Sequence, residues 1–341
     1  MLKKMTVLIL ILLVVSGMIM ASGTKAEAKK YFVGFSTFSL GNSWAIQLIE
    51  ELKYAVSQDK EIEKFVMTNS EWNISKQVSD IDDLITKGAD IILVSAQNPQ
   101  SLVPVVNKAM KQGIVVVFMA ITLPKDYNVT AYVTVDQNEF GRVQARWLSK
   151  AMNYKGEIIA FNGMKGIQNS IDRFDGAKEI FDKYPGIKIV NEVWADWDYA
   201  KAKRAMESLF AAFPKIDGIW SQGGAMSEAV IEAYLERGLP PPLITGEDGN
   251  GFLKIWKKIK DSGKYPKFDS IATSMPTWIS VKSLEIAKDA VHGKKVPKET
   301  VIPIPTITAE TLEQYVKPDL PNSYWCNSTL PEEVAKKVFQ R

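Results

Sequence analysis

A strand, a polar turn and a helix follow one another in Tyr31-Phe-Val-Gly-Phe-Ser-Thr-Phe-Ser-Leu-Gly-Asn-Ser-Trp-Ala-Ile-Gln-Leu-Ile-Glu-Glu-Leu52. Residues 31–35 form a short apolar run, which is typical of a strand buried on both faces of a sheet. Apolar residues then recur at 45, 48, 49, 52, 55 and 56. This one-sided stripe predicts a helix packed on the sheet, and Asn42 or Ser43 can cap it.

The turn between this strand and helix is a candidate ligand site. In open α/β sheets, ligands bind outside the carboxyl ends of the strands. Three side chains of the turn are therefore candidates for ligand contact: Ser36, Asn42 and Trp44. An ordinary strand-to-helix loop with a half-buried tryptophan is the alternative interpretation.

The same alternation of strand and helix continues along the chain. Apolar runs predict further strands at 64–67, 89–95, 114–119, 131–136, 156–161, 187–194, 216–221 and 243–247. Helical stripes lie between them, so the pattern predicts parallel, doubly wound sheets with about five strands in each half. A loop at 120–131 breaks the rhythm, and the strand after it is expected to cross into a second domain. Residues 302–305 contain two prolines and predict an edge strand or a hinge.

Composition limits the class of protein. A chain of 341 residues is expected to form two domains. The net charge is +3 and both signs are interspersed, so the sequence does not show the clustered basic charge that is typical of nucleic-acid binding. The one cysteine, Cys326, excludes an intrachain disulfide and a cysteine-based metal site. The one histidine, His292, disfavours a histidine-based metal site or a Ser–His–Asp triad.

The N-terminus has the features of a secretory signal peptide spanning residues 1–28. Met1-Leu-Lys-Lys is positively charged, residues 5–20 are almost wholly apolar, and Ala26-Glu-Ala28 is a cleavage motif before Lys29. A membrane anchor is the alternative, but the apolar run is short. No cysteine directly follows that run, so we expect a periplasmic or extracytoplasmic protein without a lipid anchor.

Two α/β halves behind a signal peptide resemble the periplasmic sugar-binding proteins of ABC importers. The resemblance is closest to the ribose-binding type, which shares its fold with the sugar sensors of LacI-type repressors. It covers about 31–306 and is carried by five dispersed segments: 80–94, 134–138, 172–176, 196–198 and 246–249. A repressor is disfavoured because no helix-turn-helix module precedes Tyr31.

The resemblance implies two doubly wound parallel-sheet lobes joined by a three-segment hinge, the type I periplasmic binding protein fold. The crossings would fall near 135–137, 273–275 and 303–306. The N-terminal lobe would comprise 31–135 with 276–304. The C-terminal lobe would comprise 136–275 with 305–341, including a loop-rich C-terminal extension.

The resemblance also implies ligand contacts. The family's asparagine and two aromatic positions match Asn42, Trp44 and Trp197, and its carboxylate after a late strand matches Asp248. Several polar positions of the family are replaced in this sequence. The family's Asp–Arg pair falls on Met119 and Ala120, and its glutamine falls on Ser274. Its inner arginine falls on Ile171, two residues before Arg173, and its asparagine falls on Gly223, next to Gln222. The segments that carry the fold therefore match the family better than the polar ligand-contact positions do.

A sugar needs hydrogen-bonding groups around its rim and flat apolar partners on its faces. Trp44 and Trp197 could sandwich a ring, while the polar candidates are Asn42, Asp136, Gln137, Asn169, Arg173, Gln222 and Asp248. Alternatives remain for three of these residues. Trp197 could cap a helix–sheet corner, Arg173 could pair with Asp172 or Asp175, and Asp136 could serve the hinge alone. Three other tryptophans, Trp72, Trp278 and Trp325, could line a cleft, although packing is the default interpretation.

The sequence thus predicts an exported, monomeric solute-binding protein that captures a monosaccharide-like or polyol ligand and delivers it to an ABC permease. Catalysis, a cofactor and a metal are not expected. The alternatives are a sensor subunit that presents its ligand to a membrane receptor, and an exported α/β enzyme acting on a sugar.

Overall fold

Strand β1 (Tyr31–Thr37) and helix α1 (Ser43–Gln58) form where the sequence predicts them. All residues of β1 are buried, in agreement with a strand covered on both faces. Asn42 caps α1, since its side-chain oxygen accepts a hydrogen bond from the Ala45 backbone N–H at 2.8 Å. The structure, a computed structural model, describes residues 29–339. The predicted signal peptide, residues 1–28, lies outside the described residues.

The first lobe is built on a six-stranded parallel sheet. Its strands are β1, β2 (Ile62–Asn69), β3 (Ile91–Ser95), β4 (Val115–Met119), β5 (Ala131–Thr134) and β11 (Glu299–Val301), in the spatial order β11-β5-β4-β3-β1-β2. The sixth strand, β11, comes from late in the chain and pairs with β5. Three helices of this lobe follow its strands, namely α1, α2 (Ile74–Thr86) and α3 (Val103–Lys111).

The second lobe repeats the plan with its own six-stranded sheet. Its strands are β6 (Gly156–Asn162), β7 (Ile187–Trp194), β8 (Gly218–Ser221), β9 (Leu243–Glu247), β10 (Ser270–Thr273) and β12 (Thr306–Ile307), in the order β12-β10-β9-β8-β6-β7. All neighbours are parallel except β12, which runs antiparallel to β10. Its helices are α4 (Gln137–Ala151), α5 (Gln168–Phe181), α6 (Tyr199–Leu209), α7 (Gly224–Glu236) and α8 (Asn250–Ser262).

The chain passes between the two sheets three times. It leaves β5 for α4, leaves β10 for helix α9 (Ile279–Val291), which packs on α1 and β4 of the first lobe, and leaves β11 for β12. The prolines of 302–305 therefore lie between two edge strands, where a missing backbone N–H breaks no central ladder. The predicted fold class, two α/β lobes joined by three segments, is confirmed.

Residues 308–339, here called the C-terminal segment, contain two helices, α10 (Leu312–Tyr315) and α11 (Glu332–Phe339). This segment is held on the second lobe by Asn250, whose side-chain amide donates to the backbone oxygens of Lys317 and Leu320 at 2.8 and 3.0 Å. It also reaches the first lobe, where the buried Glu51 accepts hydrogen bonds from the hydroxyls of Ser328 and Thr329 at 2.8 and 2.6 Å. The segment therefore touches both lobes.

Among residues 29–339, none of the helices is both long and apolar enough to span a membrane.

Candidate functional site

A cavity of about 430 Å³ lies between the two lobes. Its walls come from the loops after β1, β3 and β4 in the first lobe, and from the loops after β6, β7 and β8 in the second. Glu247 at the end of β9, Met275 after β10 and Trp325 of the C-terminal segment complete them. These loops follow the carboxyl ends of parallel strands, where ligand sites of open α/β sheets are found. The volume falls within the range of roughly 300–1,000 Å³ that is common for small-molecule sites.

The two lobes touch each other across this cavity. The side-chain amide of Asn169, in α5, donates a hydrogen bond to the backbone oxygen of Ala120, just after β4, at 3.1 Å. Both residues line the cavity. This hydrogen bond therefore joins the two lobes directly at the cavity.

Trp44 and Trp197 both line the cavity, from opposite lobes. The indole N–H of Trp44 donates to the backbone oxygen of Met275, in the second crossing, at 2.7 Å. That bond ties the position of the ring to the hinge and leaves its carbon atoms for other contacts. The two tryptophans identified as candidates from the sequence therefore line the same cavity.

The backbone leaves little freedom around Trp197. Its φ of +54° lies in the left-handed region, as does that of Asp196 at +56°. A Cβ atom built on Gly163 would lie 2.1 Å from the indole Cε2 atom, and one built on Gly223 would lie 2.8 Å from Cδ1. Glycine is required at 163 because only a residue without a side chain lets the indole approach so closely.

Arg173 and Glu247 form a buried ion pair in the cavity wall. Their closest atoms, Nη1 and Oε1, are 2.9 Å apart, and their side chains are 4% and 6% exposed. The Nε of Arg173 also donates to Oε1 of Gln137 at 2.7 Å, and its guanidinium lies 3.8 Å from the centre of the Phe140 ring. Burial raises the pKa of Glu247, and the charge of Arg173 opposes that rise. The partner of Arg173 is thus Glu247, and neither of the two aspartates considered from the sequence.

Three predicted contacts lie away from the cavity. Ser36 is buried in β1, and its hydroxyl oxygen lies 3.5 Å from Nε2 of Gln77. Asp136 caps α4 through the backbone N–H of Glu139 at 2.9 Å, in agreement with a role confined to the hinge region. Gln222 is fully buried, where its amide donates to Asn162 and to the backbone oxygen of Ser170 at 2.9 and 2.8 Å.

Asp248 also lies outside the cavity lining, beneath the C-terminal segment. Its side chain accepts a hydrogen bond from the Asn327 backbone N–H at 2.7 Å, and the residue is 1% exposed. Burial, together with the nearby carboxylate of Glu247, raises the pKa of Asp248 to about 7. The family resemblance implied that Asp248 contacts the ligand, but the C-terminal segment occupies that place.

Of the ten residues named as candidate contacts, five line the cavity: Asn42, Trp44, Asn169, Arg173 and Trp197. Gln137 does not line it, and its side-chain oxygen accepts from Arg173 instead. The structure adds polar residues that the sequence did not indicate, including Gln97 and Asn98 after β3, and Glu247 at the end of β9. All three lie at or just after the carboxyl end of a strand, as Asn42 does, so the same rule could have identified them from the sequence.

Within residues 29–339, no group of three or more His, Cys, Asp or Glu side chains could hold a metal ion.

Two α/β lobes joined by three segments, with a cavity between them, define a class: two-lobed binding proteins that hold a small molecule between their lobes. The chain belongs to the periplasmic binding protein domain family, whose model matches residues 33–295. It is 26% identical over 283 residues to the ribose import binding protein RbsB of Bacillus subtilis, covering 83% of this chain and 88% of that protein. It is 28% identical over 253 residues to the xylitol-binding protein of Mycolicibacterium smegmatis, covering 73% of this chain and 70% of that protein.

Solved structures of the same fold agree with this assignment. A solute-binding protein of an ABC transporter from Thermobispora bispora superposes with a TM-score of 0.77 at 22% identity, covering 91% of this chain and 95% of that one. Another from Bacillus halodurans, with bound myo-inositol, gives 0.74 at 22% identity, covering 85% and 98%. The resemblance to ribose-binding-type periplasmic proteins, inferred from the sequence, is confirmed.

Proposed function

We propose that this protein is an exported solute-binding protein that encloses one monosaccharide-like or polyol ligand between its lobes and delivers it to an ABC permease. The observation that carries the proposal is the cavity of about 430 Å³ between the lobes, with tryptophans from both lobes and a buried Arg–Glu pair in its walls. Tryptophan rings suit the C–H faces of a sugar, and charged side chains bind hydroxyls strongly.

The chemistry of the cavity fits a polyhydroxylated ligand better than an apolar one. Arg173, Glu247, Asn42 and Asn169 offer both donors and acceptors at its wall. Only Oε1 of Glu247 has a hydrogen-bond partner among the described residues, which leaves Oε2 able to accept from a hydroxyl. The relatives named above are a ribose import binding protein and a xylitol-binding protein, which supports the same class of ligand.

We assign the contacts to the five predicted residues that line the cavity, and add Glu247. The lobes are proposed to comprise 31–135 with 276–304, and 136–275 with 305–341. A ligand that contacts both lobes binds the closed arrangement more tightly than the open one, so ligand binding shifts the equilibrium between open and closed lobes. The protein acts as a monomer without catalysis, and its partner is the membrane permease.

A thermal-shift screen of the mature chain against pentoses, hexoses, deoxysugars and polyols tests the proposal. We expect a raised Tm with at least one compound, because a ligand that binds only the folded state stabilises it. Equilibrium dialysis should then return that compound chemically unchanged. Recovery of a product would show an enzyme instead, and the absence of a shift with every polyhydroxylated compound would refute the proposal.

The ligand-contact assignment has its own test. Trp44→Ala should weaken binding of the compound found in the screen by about tenfold or more, since it removes one flat face of the site. Trp147→Ala is the matched control, because that half-buried indole packs on the core of the second lobe and does not line the cavity. Equal affinity of the Trp44 variant and the wild type would move the site elsewhere.

A further inference from the structure

We propose that Trp325 is a specificity-determining wall of the ligand cavity, and that it limits the ligand to about the size of one sugar ring. The inference rests on the proposed function and adds the residue that sets ligand length. Trp325 lines the cavity although it lies in the C-terminal segment, beyond residue 295 where the family match ends. A side chain from outside the shared domain therefore completes this site.

The backbone of Trp325 is fixed on both lobes. In the first lobe, the fully buried side chain of Gln47 accepts from the Trp325 N–H and donates to its carbonyl oxygen, both at 2.8 Å. In the second lobe, Trp325 forms a β-bridge with Gly249. None of these contacts uses the indole, so the C-terminal segment stays anchored if that ring is removed.

The indole itself stands at the boundary between two cavities. Behind Trp325 lies a second cavity of about 370 Å³, and Ser43, Ala225 and Trp325 line both. Ser43 begins α1 in the first lobe and Ala225 lies in α7 in the second, so the boundary follows the seam between the lobes. The indole N–H donates to the Ser43 hydroxyl at 3.1 Å, which holds the ring in this position.

The second cavity has the polar lining that a further sugar unit would need. Tyr199, Glu228, Glu232 and Asn322 face it. With Trp325 in place, a ligand in the first cavity meets an aromatic wall and cannot extend toward these groups. Without the indole, the two spaces would join, and a second ring could place its hydroxyls against the carboxylates.

Calorimetric titration of the wild type, Trp325→Phe and Trp325→Ala tests this assignment. The ligands are the single-ring compound that binds the wild type best and a panel of disaccharides that contain it. For Trp325→Ala we expect about tenfold weaker binding of the single-ring compound, since a flat apolar contact is lost. The ratio of disaccharide to single-ring affinity should rise by about tenfold or more, and Trp325→Phe should lie between the two.

The controls separate this role from a structural one. Trp147→Ala removes an indole that lines neither cavity, so it should leave both affinities at their wild-type values. Unchanged affinity and unchanged ligand preference in Trp325→Ala would overturn the inference while leaving the proposed function intact. A wild type that binds no polyhydroxylated compound would overturn both.

A second measurement needs no destabilising substitution. The wild type can be labelled with 5-fluorotryptophan, and the fluorine resonance absent from Trp325→Phe identifies Trp325. We expect this resonance to shift when the single-ring compound is added. A Trp325 resonance that does not move at saturating ligand would contradict the inference.

Discussion

Replacement of Asp248 by asparagine should stabilise the protein at high pH and not at low pH. The carboxyl group is 1% exposed and its pKa is raised from 3.8 to about 7 by burial and by Glu247. A raised pKa means that the folded state binds the proton more tightly than the unfolded state. The resulting stabilisation is complete below about pH 4 and is lost as the pH rises from about 4 to 7.

The size of the effect follows from the shift in pKa. A difference of about three units corresponds to about 4 kcal/mol at 1.36 kcal/mol per unit, which is an upper limit for a buried group. Asparagine keeps the shape of the side chain and one oxygen for the Asn327 N–H, but it has no charge to bury. Asp248→Asn should therefore gain up to about 4 kcal/mol over the wild type between pH 4 and pH 8.

Urea unfolding of both proteins at pH 4, 5.5, 7 and 8 measures this difference. Tryptophan fluorescence and circular dichroism should give coincident transitions if a single free energy of unfolding applies. Asp126→Asn, which neutralises an exposed carboxylate, controls for the loss of one negative charge. A difference between Asp248→Asn and the wild type that stays constant over this pH range would refute the reasoning.

Three other substitutions follow from the contacts. Gly163→Ala should weaken ligand binding by about tenfold in calorimetry, because the new methyl group would displace the Trp197 indole. Arg173→Met should lower the free energy of unfolding in urea by about 3–5 kcal/mol, since it leaves Glu247 buried without its partner. Glu51→Ala should cost about 2–3 kcal/mol and speed hydrogen exchange in the C-terminal segment, whose hydroxyls lose their acceptor.

Each of these has a control and a contradicting result. Glu50→Ala removes only a surface pair with Lys53 and should change stability by less than about 0.5 kcal/mol. Adding Glu247→Gln to Arg173→Met should recover part of the loss; no recovery would mean that the pair is not the cause. Wild-type ligand affinity in Gly163→Ala, or wild-type exchange rates in Glu51→Ala, would contradict the corresponding prediction.

The alternation of buried strands and helical stripes was enough to predict two doubly wound lobes, because those periods are local properties of the chain. The observed starts of two helices differ from the starts that the sequence predicts. The sequence predicts one helix over 172–184 and another over 254–261, whereas α5 starts at Gln168 and α8 at Asn250. Strands β11 and β12 are too short to carry a periodic signal, so the sixth strand of each sheet was not predicted.

The candidate site was predictable where it follows strand ends and unpredictable where distant segments meet. Asn42, Trp44 and Trp197 follow strands and reach the cavity. Local sequence does not reveal that Arg173 pairs with Glu247, 74 positions away, or that Asn327 covers Asp248. These contacts depend on how the C-terminal segment and the second lobe pack in three dimensions.

Isothermal titration calorimetry of the mature wild-type chain decides whether one ligand binds between the lobes. With the best compound from the polyol screen, we expect saturable binding of one ligand per chain, with a dissociation constant in the micromolar range or below, about −8 kcal/mol or better. The absence of saturable heat with every sugar and polyol, or a stoichiometry of two or more ligands per chain, would contradict a single ligand enclosed between the lobes.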